Sequence, residues 1–257
     1  MGKKKLLILI PARFGSTRFP GKPLTLLNGK PMIEWVVSHM SEAVSQEFEI
    51  TPCVVTDDER IESHLKAVGS KVVRVDDDVI SGTLRIELAY SRFFADENFD
   101  LVINVQGDEP LLKIDHVLKL AKYHLQHPEI EIGTMVKRRI GFNADFRDPN
   151  KVKALFCEGN GQCLYFSRQA IPYSRDLPED PQGIWFLHIG VYSFQPFALK
   201  KFSQLPLGRY EDLEKLEQLK AMEFGMRIGA IEMNDELMGV DHPHDVKKVE
   251  EVLSGRL

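Results

Sequence analysis

The chain has 257 residues, of which 43% are hydrophobic and 28% are charged, and its formal net charge is -5. This size and composition are typical of a soluble globular protein with a sizeable core. The mild charge, with neither sign gathered into long blocks, argues against nucleic acid as a partner, and no stretch reaches the roughly 20 apolar residues that span a membrane. The three cysteines lack the paired spacing of a zinc site or a disulfide framework, which favours a cytoplasmic location.

The first half of the chain alternates between two patterns. Short runs rich in Val and Ile, namely "LLILI", "TPCVVT", "KVVRV" and "LVINVQ", are separated by segments with helical spacing such as "PMIEWVVSHMSEAV" and "ERIESHLKAVG". A basic start precedes "LLILI", but this apolar run is too short for a secretory signal and is interpreted as a first strand. Alternation of this kind predicts an α/β, Rossmann-like fold with a largely parallel central sheet and helices on both faces.

After about residue 130 the pattern becomes mixed. "VKALFCEGNGQCLYFSR" has hairpin-like punctuation at Gly159, Asn160 and Gly161. Helices are predicted over "GRYEDLEKLEQLKAMEFG" and "HPHDVKKVEEVLSG", with a strand over "RIGAIEM" between them. We therefore predict a single domain over residues 1–257, in which about 1–130 form a nucleotide-binding α/β part and about 131–257 a mixed-strand part for substrate and dimer contacts.

A glycine-rich, basic loop follows the first strand in "PARFGSTRFPGK". Ligands of open parallel sheets gather beyond the carboxyl ends of the strands, which is where this loop is predicted to lie. Its glycines allow a close backbone approach, Ser16 offers a hydroxyl, and Arg13 and Lys22 supply positive charge. The loop is neither a P-loop nor a dinucleotide turn. It suits a polyphosphate, although a solvated basic surface loop is the alternative.

Carboxylates follow another predicted strand in "LVINVQGDEP", which ends at Gln106 and Asp108. Mg²⁺ prefers oxygen ligands and commonly takes one or two carboxylates together with substrate phosphates. We therefore look for a second carboxylate and choose Asp241 in "MGVDHPHD". The alternatives are a turn residue for Asp108 and the N-cap of the final helix for Asp241.

Other predicted strand ends carry short polar groups. "VVTDDE" supplies Thr56 and Asp57, and "SGTLR" supplies Ser81, Gly82 and Thr83 ahead of a helix. Backbone amides at such a helix start can hold a base edge or a phosphate. Each segment alone is also a common helix start, so the prediction depends on their meeting at one edge of the sheet.

Taken together, the sequence segments of this chain resemble those of a known family. The segments "IPARFGSTRFPGKPL", "NGKPMI", "VVTDDERI", "SGT" with Arg85, "NVQGDEP", "YFSR", "HIGVY", "LEQL" and "GVD" occur in the order found in the CMP-3-deoxy-manno-octulosonate (Kdo) synthetases. These are cytidylyltransferases that activate Kdo with CTP for lipopolysaccharide biosynthesis. The resemblance covers nearly the whole chain, and the first block together with "NVQGDEP" is its most specific part.

The resemblance implies roles for individual residues. It implies a catalytic set, CTP contacts, a pocket for an acidic eight-carbon sugar, two Mg²⁺ carboxylates and a homodimer. The catalytic set is Arg13, Lys22, Asp108 and Asp241; the CTP contacts are Arg13, Ser16, Lys22, Thr56, Asp57, Ser81, Gly82, Thr83 and Gln106; the sugar pocket is Arg168, His188, Tyr192, Glu217 and Gln218; and the metal ligands are Asp108 and Asp241. On residue type alone, the members of the sugar pocket other than Arg168 would be ordinary core or helix-surface side chains.

The chain departs from the family pattern at three positions. Leu84 stands where an acidic residue is usual, Leu187 where Arg is common, and His242 where Thr is usual. We expect these departures to affect the sugar side more than the phosphate side. An 8-amino analogue of Kdo is therefore a candidate acceptor beside Kdo itself.

The expected reaction is attack of the sugar's anomeric hydroxyl on the α-phosphorus of CTP, with release of pyrophosphate and without a covalent enzyme intermediate. Arg168 is the expected anchor for the sugar carboxylate, because a guanidinium can grip a carboxylate with two parallel hydrogen bonds. Two alternatives stay open: a cytidylyltransferase for another acidic sugar such as a sialic acid, and a non-catalytic nucleotide sensor. Both are separated from the main prediction by a turnover assay.

Overall fold

The structure is a computed structural model that describes residues 2–15, 19–42, 45–79 and 81–255. Within these residues the chain divides into two compact units. The first contains residues up to 118 and those from 236 onward, and the second contains residues 119–235. The sequence-based division near residue 130 differs from this one, because the last part of the chain returns to the first unit.

The first unit is an α/β layer structure whose elements alternate along the chain. They are β1 (Lys4–Ala12), β2 (Leu26–Leu27), β3 (Lys30–Pro31), α1 (Met32–Ser41), β4 (Phe48–Thr56), α2 (Glu59–Ala67), β5 (Val72–Arg74), α3 (Gly82–Phe93), β6 (Leu101–Asn104) and α4 (Ile114–Gln126), the last of which continues into the second unit. The larger strands pair in parallel in the order β6-β1-β4-β5. The predicted parallel sheet is therefore confirmed.

Burial explains why these segments form a parallel sheet. Leu6 to Ile10 of β1 are fully buried, as expected for a strand covered on both faces. The helix α1 buries Met32, Ile33, Val36 and Met40, which recur at helical spacing along one face. A continuous apolar strand flanked by such helices places β1 in the middle of the layer.

A tight hairpin joins β2 to β3 directly after the basic loop. Asn28 and Gly29 both have positive φ, 49° and 81°, which is the backbone of the two-residue turn that Asn-Gly favours. The Asn28 amide donates to Glu250 Oε1 (2.8 Å), and Asn28 Nδ2 donates to the Glu250 carbonyl (3.0 Å). Glu250 lies on the last helix of the chain, so the hairpin is tied to the C-terminal segment.

The second unit has a mixed sheet. Its elements are β7 (Ile132–Ile140), α5 (Ala144–Arg147), β8 (Lys153–Phe156), β9 (Cys163–Ser167), β10 (Ile184–Phe194), α6 (Pro196–Gln204), α7 (Arg209–Glu214), α8 (Glu217–Glu223) and β11 (Ile228–Glu232). β7 pairs in parallel with β11 and antiparallel with β10, and β8 pairs antiparallel with both β10 and β9. The mixed second half and the hairpin around Gly159 to Gly161 are as the sequence predicts.

One predicted helix is divided in two. The segment "GRYEDLEKLEQLKAMEFG" forms α7 and α8, which are separated at Lys215, whose φ of 51° is left-handed. A helix ends where a residue takes this conformation. The prediction of one continuous helix is wrong. The break could not be predicted from residue types, because neither Gly nor Pro stands at Lys215.

The last helix, α9 (Asp245–Leu253), lies in the first unit. Val240 and Val249 join Leu27, Met32 and Leu111 in a buried apolar cluster there. Among the described residues, no helix combines the length and the apolar character needed to cross a membrane.

Candidate active site

A cavity of about 430 Å³ opens at the carboxyl ends of β1 and β6 in the first unit. It contains several of the predicted residues: its lining includes Pro11, Ala12, Arg13, Gly15, Lys22, Pro23, Met32, Gly82, Gln106, Gly107 and Asp108. Parallel strands present their carboxyl ends to one edge, so residues far apart in sequence meet there. The cavity is therefore lined both by the basic loop and by the segment Gln106, Gly107 and Asp108.

The basic loop is closed by a glycine turn. Gly21 has a φ of 72°, and its amide donates to the Phe14 carbonyl (3.0 Å). The Arg60 guanidinium lies over the Phe14 ring at 3.3 Å from the ring centroid. This turn directs Lys22 toward the strand ends. Ser16, a predicted phosphate ligand, lies outside the described residues.

Lys22, Asp108 and Asp241 form one charged cluster. Lys22 Nζ donates to Asp108 Oδ2 (2.5 Å) and lies 3.9 Å from Asp241 Oδ1. The Lys22 side chain is 12% exposed, whereas that of Asp241 is 56% exposed. The two carboxylates predicted to share a metal ion thus lie around a single cation.

Backbone contacts hold the two carboxylates in place. The Val240 amide donates to the Asp108 carbonyl (2.9 Å), which joins the segment before α9 to the end of β6. A Cβ at Gly107 would lie 2.7 Å from the Pro11 carbonyl oxygen, so the end of β1 packs directly on this glycine. The N-cap of α9 is His244, and Asp245 accepts hydrogen bonds from the amides of Asp241 and His242. Asp241 is therefore not the helix cap, and its side chain lies beside Lys22.

Glu109, the residue after Asp108, is a third carboxyl group at this place, and the sequence predicts no role for it. Burial raises the pKa of Glu109 to about 8, and the negative charges of Asp108 and Asp241 act in the same direction. A Cβ at Gly239 would lie 3.1 Å from Glu109 Oε1, so this carboxyl packs against the turn that carries Asp241. At neutral pH Glu109 is therefore mostly protonated, and it adds a neutral carboxyl group beside the two aspartates.

Arg13 is linked to a buried arginine through Asp57. Arg13 Nε lies 3.5 Å from Asp57 Oδ2, and the same oxygen lies 3.2 Å from a terminal nitrogen of Arg85. Arg85 is 1% exposed and also donates to the carbonyl of Val75. Asp57 is therefore held between two guanidinium groups, and Arg85 is a supporting residue that the site prediction omitted. Its place in the "SGT" motif was the available signal.

The remaining predicted nucleotide residues lie at the same strand ends. Thr56 ends β4 opposite Ala12 and accepts a hydrogen bond from the Asp58 amide (3.2 Å). Ser81 is the N-cap of α3 and accepts from the Leu84 amide (3.2 Å). Gly82 lines the cavity beside Pro11, and Thr83 is buried. The helix α3 thus begins at the cavity, where its free backbone amides favour an anion.

In the second unit, Arg168 follows β9 and is held by several neighbours. Its Nε donates to the Glu214 carbonyl (2.7 Å), one terminal nitrogen donates to the Pro149 carbonyl (3.0 Å), and its amide donates to Glu214 Oε2 (2.6 Å). Ser167 also donates to the Glu214 carboxylate (2.8 Å). The guanidinium therefore links the segment before β8 to the last residue of α7.

His188 and Tyr192 lie on β10 with their rings 5.5 Å apart. Burial lowers the pKa of His188 to about 3, so its imidazole is neutral at physiological pH. The single hydrogen of the Thr134 hydroxyl is taken by the carbonyls of Val191 (2.8 Å) and Ile189 (3.2 Å). Thr134 Oγ1 must then accept from His188 Nε2 (3.1 Å), which leaves Nδ1 of His188 as a hydrogen-bond acceptor.

Glu217 and Gln218 begin α8. Burial raises the pKa of Tyr192 well above its usual value, and the negative charge of Glu217 contributes, so these two side chains are close. Among the described residues, neither Oε2 of Glu217 nor Nε2 of Gln218 has a hydrogen-bond partner, although both atoms are buried. Buried polar atoms of this kind call for a ligand or water. The structure thus places Tyr192 near both His188 and Glu217.

The three departures from the family pattern have different surroundings. Leu187 packs against the aromatic cluster of Phe142, Phe146 and Trp185. Side chains alternate along a strand, so Leu187 lies on the opposite face of β10 from His188. Leu84 lies in the first turn of α3, and the ring of His242 stacks on that of His244 at 5.3 Å. Leu187 therefore serves packing rather than the face that carries His188.

The carboxylate pair suits a hard divalent cation. Asp108 and Asp241 offer oxygen atoms, the ligands that Mg²⁺ takes, and already surround the Lys22 ammonium. Among the described residues, no group of three or more His, Cys, Asp or Glu side chains is arranged to hold a metal ion. The residues therefore fit an ion that takes its remaining ligands from a bound substrate and water.

Comparisons with known proteins agree with the motif resemblance. A family model described as "Cytidylyltransferase" matches residues 7–228. A protein of Shewanella sp. (strain W3-18-1) named 8-amino-3,8-dideoxy-manno-octulosonate cytidylyltransferase is 42% identical over 251 residues, which cover 97% of this chain and 98% of that protein. A protein of the same name from Shewanella amazonensis is 43% identical over 245 residues, with 95% and 96% covered.

A solved structure is also similar. It is described as CMP:2-keto-3-deoxy-manno-octonic acid synthetase complexed with CTP, and it matches with a TM-score of 0.88 at 33% identity, covering 99% of this chain and 100% of that one. The family prediction and the α/β fold class are confirmed by these matches. The chain belongs to the cytidylyltransferase family and is a nucleotidyltransferase.

Proposed function

We propose that this protein transfers the cytidylyl group of CTP to a Kdo-type sugar acid. The anomeric hydroxyl oxygen forms a bond to the α-phosphorus, the bond from that phosphorus to the bridging oxygen breaks, and pyrophosphate leaves with its electron pair. The hydroxyl proton passes to solvent. The products are a CMP-sugar and pyrophosphate.

The observation that carries this proposal is the cluster of Lys22, Asp108 and Asp241 at the strand-end cavity. Nucleotidyl transfer depends on alignment and charge neutralisation more than on covalent help from the protein. Cations and carboxylates next to a helix start supply those requirements. The names of the Shewanella relatives support the sugar class.

On the nucleotide side, Arg13 and Lys22 bind the CTP phosphates, as does Ser16, while Thr56, Asp57, Ser81, Gly82, Thr83 and Gln106 surround the cytidine. Asp57, fixed by Arg85, holds the Arg13 guanidinium in a defined direction. Asp108 and Asp241 would hold Mg²⁺, which would neutralise charge on the phosphate oxygens when bound. Lys22 and Arg13 then offset the charge of the departing pyrophosphate.

On the acceptor side, Arg168, His188, Tyr192, Glu217 and Gln218 bind the sugar acid. The buried Glu217 Oε2 accepts a hydrogen bond from a sugar hydroxyl or amine, and Gln218 Nε2 donates one. The Nδ1 atom of His188 is a further acceptor. This set of acceptors favours a polyhydroxylated substrate with several donors.

Among Kdo-type acids we favour the 8-amino form, on the strength of the names of the curated relatives. The test compares kcat/KM for Kdo and 8-amino-Kdo with CTP and Mg²⁺, measured by pyrophosphate release, with a sialic acid and an acceptor-free reaction alongside. Higher kcat/KM for the amino sugar is the expected result. A preference for sialic acid would replace the proposal, and CTP binding without turnover on any acceptor would indicate a nucleotide sensor.

We also propose that the enzyme acts as a homodimer in the cytoplasm and serves lipopolysaccharide biosynthesis. Cys53, Cys157 and Cys163 are free thiols, in keeping with a reducing compartment. Ile140 and Ile184 pair across β7 and β10 and are 61% and 46% exposed, which offers an apolar surface for a second copy. Light scattering of the purified protein measures the oligomeric state.

A further inference from the structure

The Lys22 ammonium lies beside the carboxylates of both Asp108 and Asp241. Lys22 Nζ lies 2.5 Å from Asp108 Oδ2 and 3.9 Å from Asp241 Oδ1, and the Lys22 side chain is largely buried. The ammonium therefore donates a hydrogen bond to an Asp108 oxygen that a metal ion would also need as a ligand. The two cations compete for the same carboxylates.

The backbones on both sides of this contact are fixed, whereas the lysine stem is not. Gly21 is held by the Phe14 carbonyl, and Asp108 is held by the Val240 amide. Lys22 opens a short helical turn (Lys22–Leu24), and its ammonium stands at the end of a flexible four-carbon stem. The ammonium can move between carboxylates and phosphates in the cavity without a change in backbone.

We propose that Lys22 is the resident cation of the carboxylate pair in the free enzyme and is drawn away by the CTP phosphates, which opens Asp108 to the metal ion. Lys22 thereby couples nucleotide binding to metal binding. The inference rests on the proposed function in that Asp108 and Asp241 serve as the metal ligands. It adds that they are occupied by an internal cation before substrate arrives.

The test measures Mn²⁺ binding to the full chain by electron paramagnetic resonance, without nucleotide. Lys22→Met keeps the length of the side chain and removes the charge, and we expect it to bind Mn²⁺ about tenfold more tightly than the wild type, a typical coupling between two sites. Lys22→Gln serves as a second neutral variant if the first fails to fold. Cytidine should leave the difference between variant and wild type unchanged, and CTP should reduce it.

Lys30→Met is the matched control. Lys30 loses the same charge but bonds Ser38 Oγ (2.7 Å) and lies over the Trp35 ring (4.2 Å), so its Mn²⁺ affinity should equal that of the wild type. Equal affinity in wild type and Lys22→Met would overturn the proposal, as would tight Mn²⁺ binding that persists when Asp108→Asn is added to Lys22→Met. Each of these results leaves turnover of the wild type with CTP untouched, and only the second also counts against Asp108 as a metal ligand.

Discussion

Asp108 combines a fixed backbone with a side chain that faces the cavity. Its carbonyl accepts from Val240, and its carboxylate accepts from Lys22. Replacement by Asn keeps the shape and the backbone contact but removes the charge. A change in activity would then report on the carboxylate itself.

We expect Asp108→Asn to lower kcat by at least about 100-fold, because a metal ion at a transferring phosphate contributes several kcal/mol to the transition state. Binding of the sugar acid, measured by calorimetry, should change by less than about threefold. Asp115→Asn, the same exchange at an exposed residue, is the control. Near-normal turnover of Asp108→Asn would remove Asp108 from the mechanism.

His188 makes stability depend on pH. Its pKa of about 3 in the folded protein lies below the usual value near 6.5, so between these limits the unfolded chain binds a proton that the folded chain does not. The free energy of unfolding therefore falls as the pH falls below about 6.5, by up to about 1.4 kcal/mol per pH unit for this group. Above that pH the contribution is constant.

His188→Gln should flatten this slope by about one proton, measured by urea unfolding at several pH values between 4 and 7. His124, buried between Ser193 and Ile130, also has a lowered pKa, so part of the slope remains in the variant. His127→Gln, the same exchange at a more exposed histidine, is the control. An unchanged slope in His188→Gln would mean that His188 is accessible to protons in the folded state.

The sequence predicts single site residues unevenly. Asp108 and Lys22 are predictable because each directly follows a strand or a glycine turn, and parallel strands bring such ends together. The contact of Arg85 with Asp57 is not predictable, because Asp57 stands at the end of a different strand, although the "SGT" motif points to Arg85 itself. The unpaired atoms of Glu217 and Gln218 likewise become visible only when α8 is packed against β9.

At the scale of the elements, the end of β1 and the turn after β6 approach so closely that a side chain does not fit between them. We expect Gly107→Ala to destabilise the fold by about 1–3 kcal/mol and to raise the KM for CTP, because a methyl group would press on the Pro11 carbonyl beside the cavity. Gly159→Ala, where the added Cβ meets nothing within 4 Å, is the control. Urea unfolding and initial rates measure both effects.

The sequence predicts the helices and strands best where their hydrophobic patterns are strongest. The buried strands of the first unit have continuous Val and Ile runs, and the helices between them have apolar residues at helical spacing. The break between α7 and α8 was missed because Lys215 adopts a left-handed conformation that its residue type does not signal. The hairpin between β2 and β3 does have a signal in its residue types, the Asn28-Gly29 pair, although the sequence analysis predicts no hairpin there.

For the whole molecule, the cysteines offer a test of the core in both units. Burial raises the pKa of Cys53 and of Cys163 to about 12, so at pH 8 almost none of either is thiolate. Cys157 is partly exposed. Ellman's reagent should therefore modify one thiol rapidly in the native protein and three in denaturant. Cys157→Ser should remove the rapid phase, and two or more rapid thiols would contradict the described packing.

The division of the chain between the two units is the feature that the sequence predicts least well. The change of pattern near residue 130 correctly signals a mixed sheet, but the return of residues 236–257 to the first unit depends on contacts between distant segments. Val240 and Val249 complete an apolar cluster with Leu27 and Met32, and no local pattern in the sequence identifies those partners. Burial of the cluster is what brings Asp241 back to Asp108.

The hydrogen bond from Val240 to Asp108 also bears on how the protein is made. One of its partners is translated only after the entire second unit has left the peptidyl-transferase centre. A nascent chain that has not yet reached Asp241 therefore cannot present the pair of carboxylates, even when the whole second unit has been synthesised.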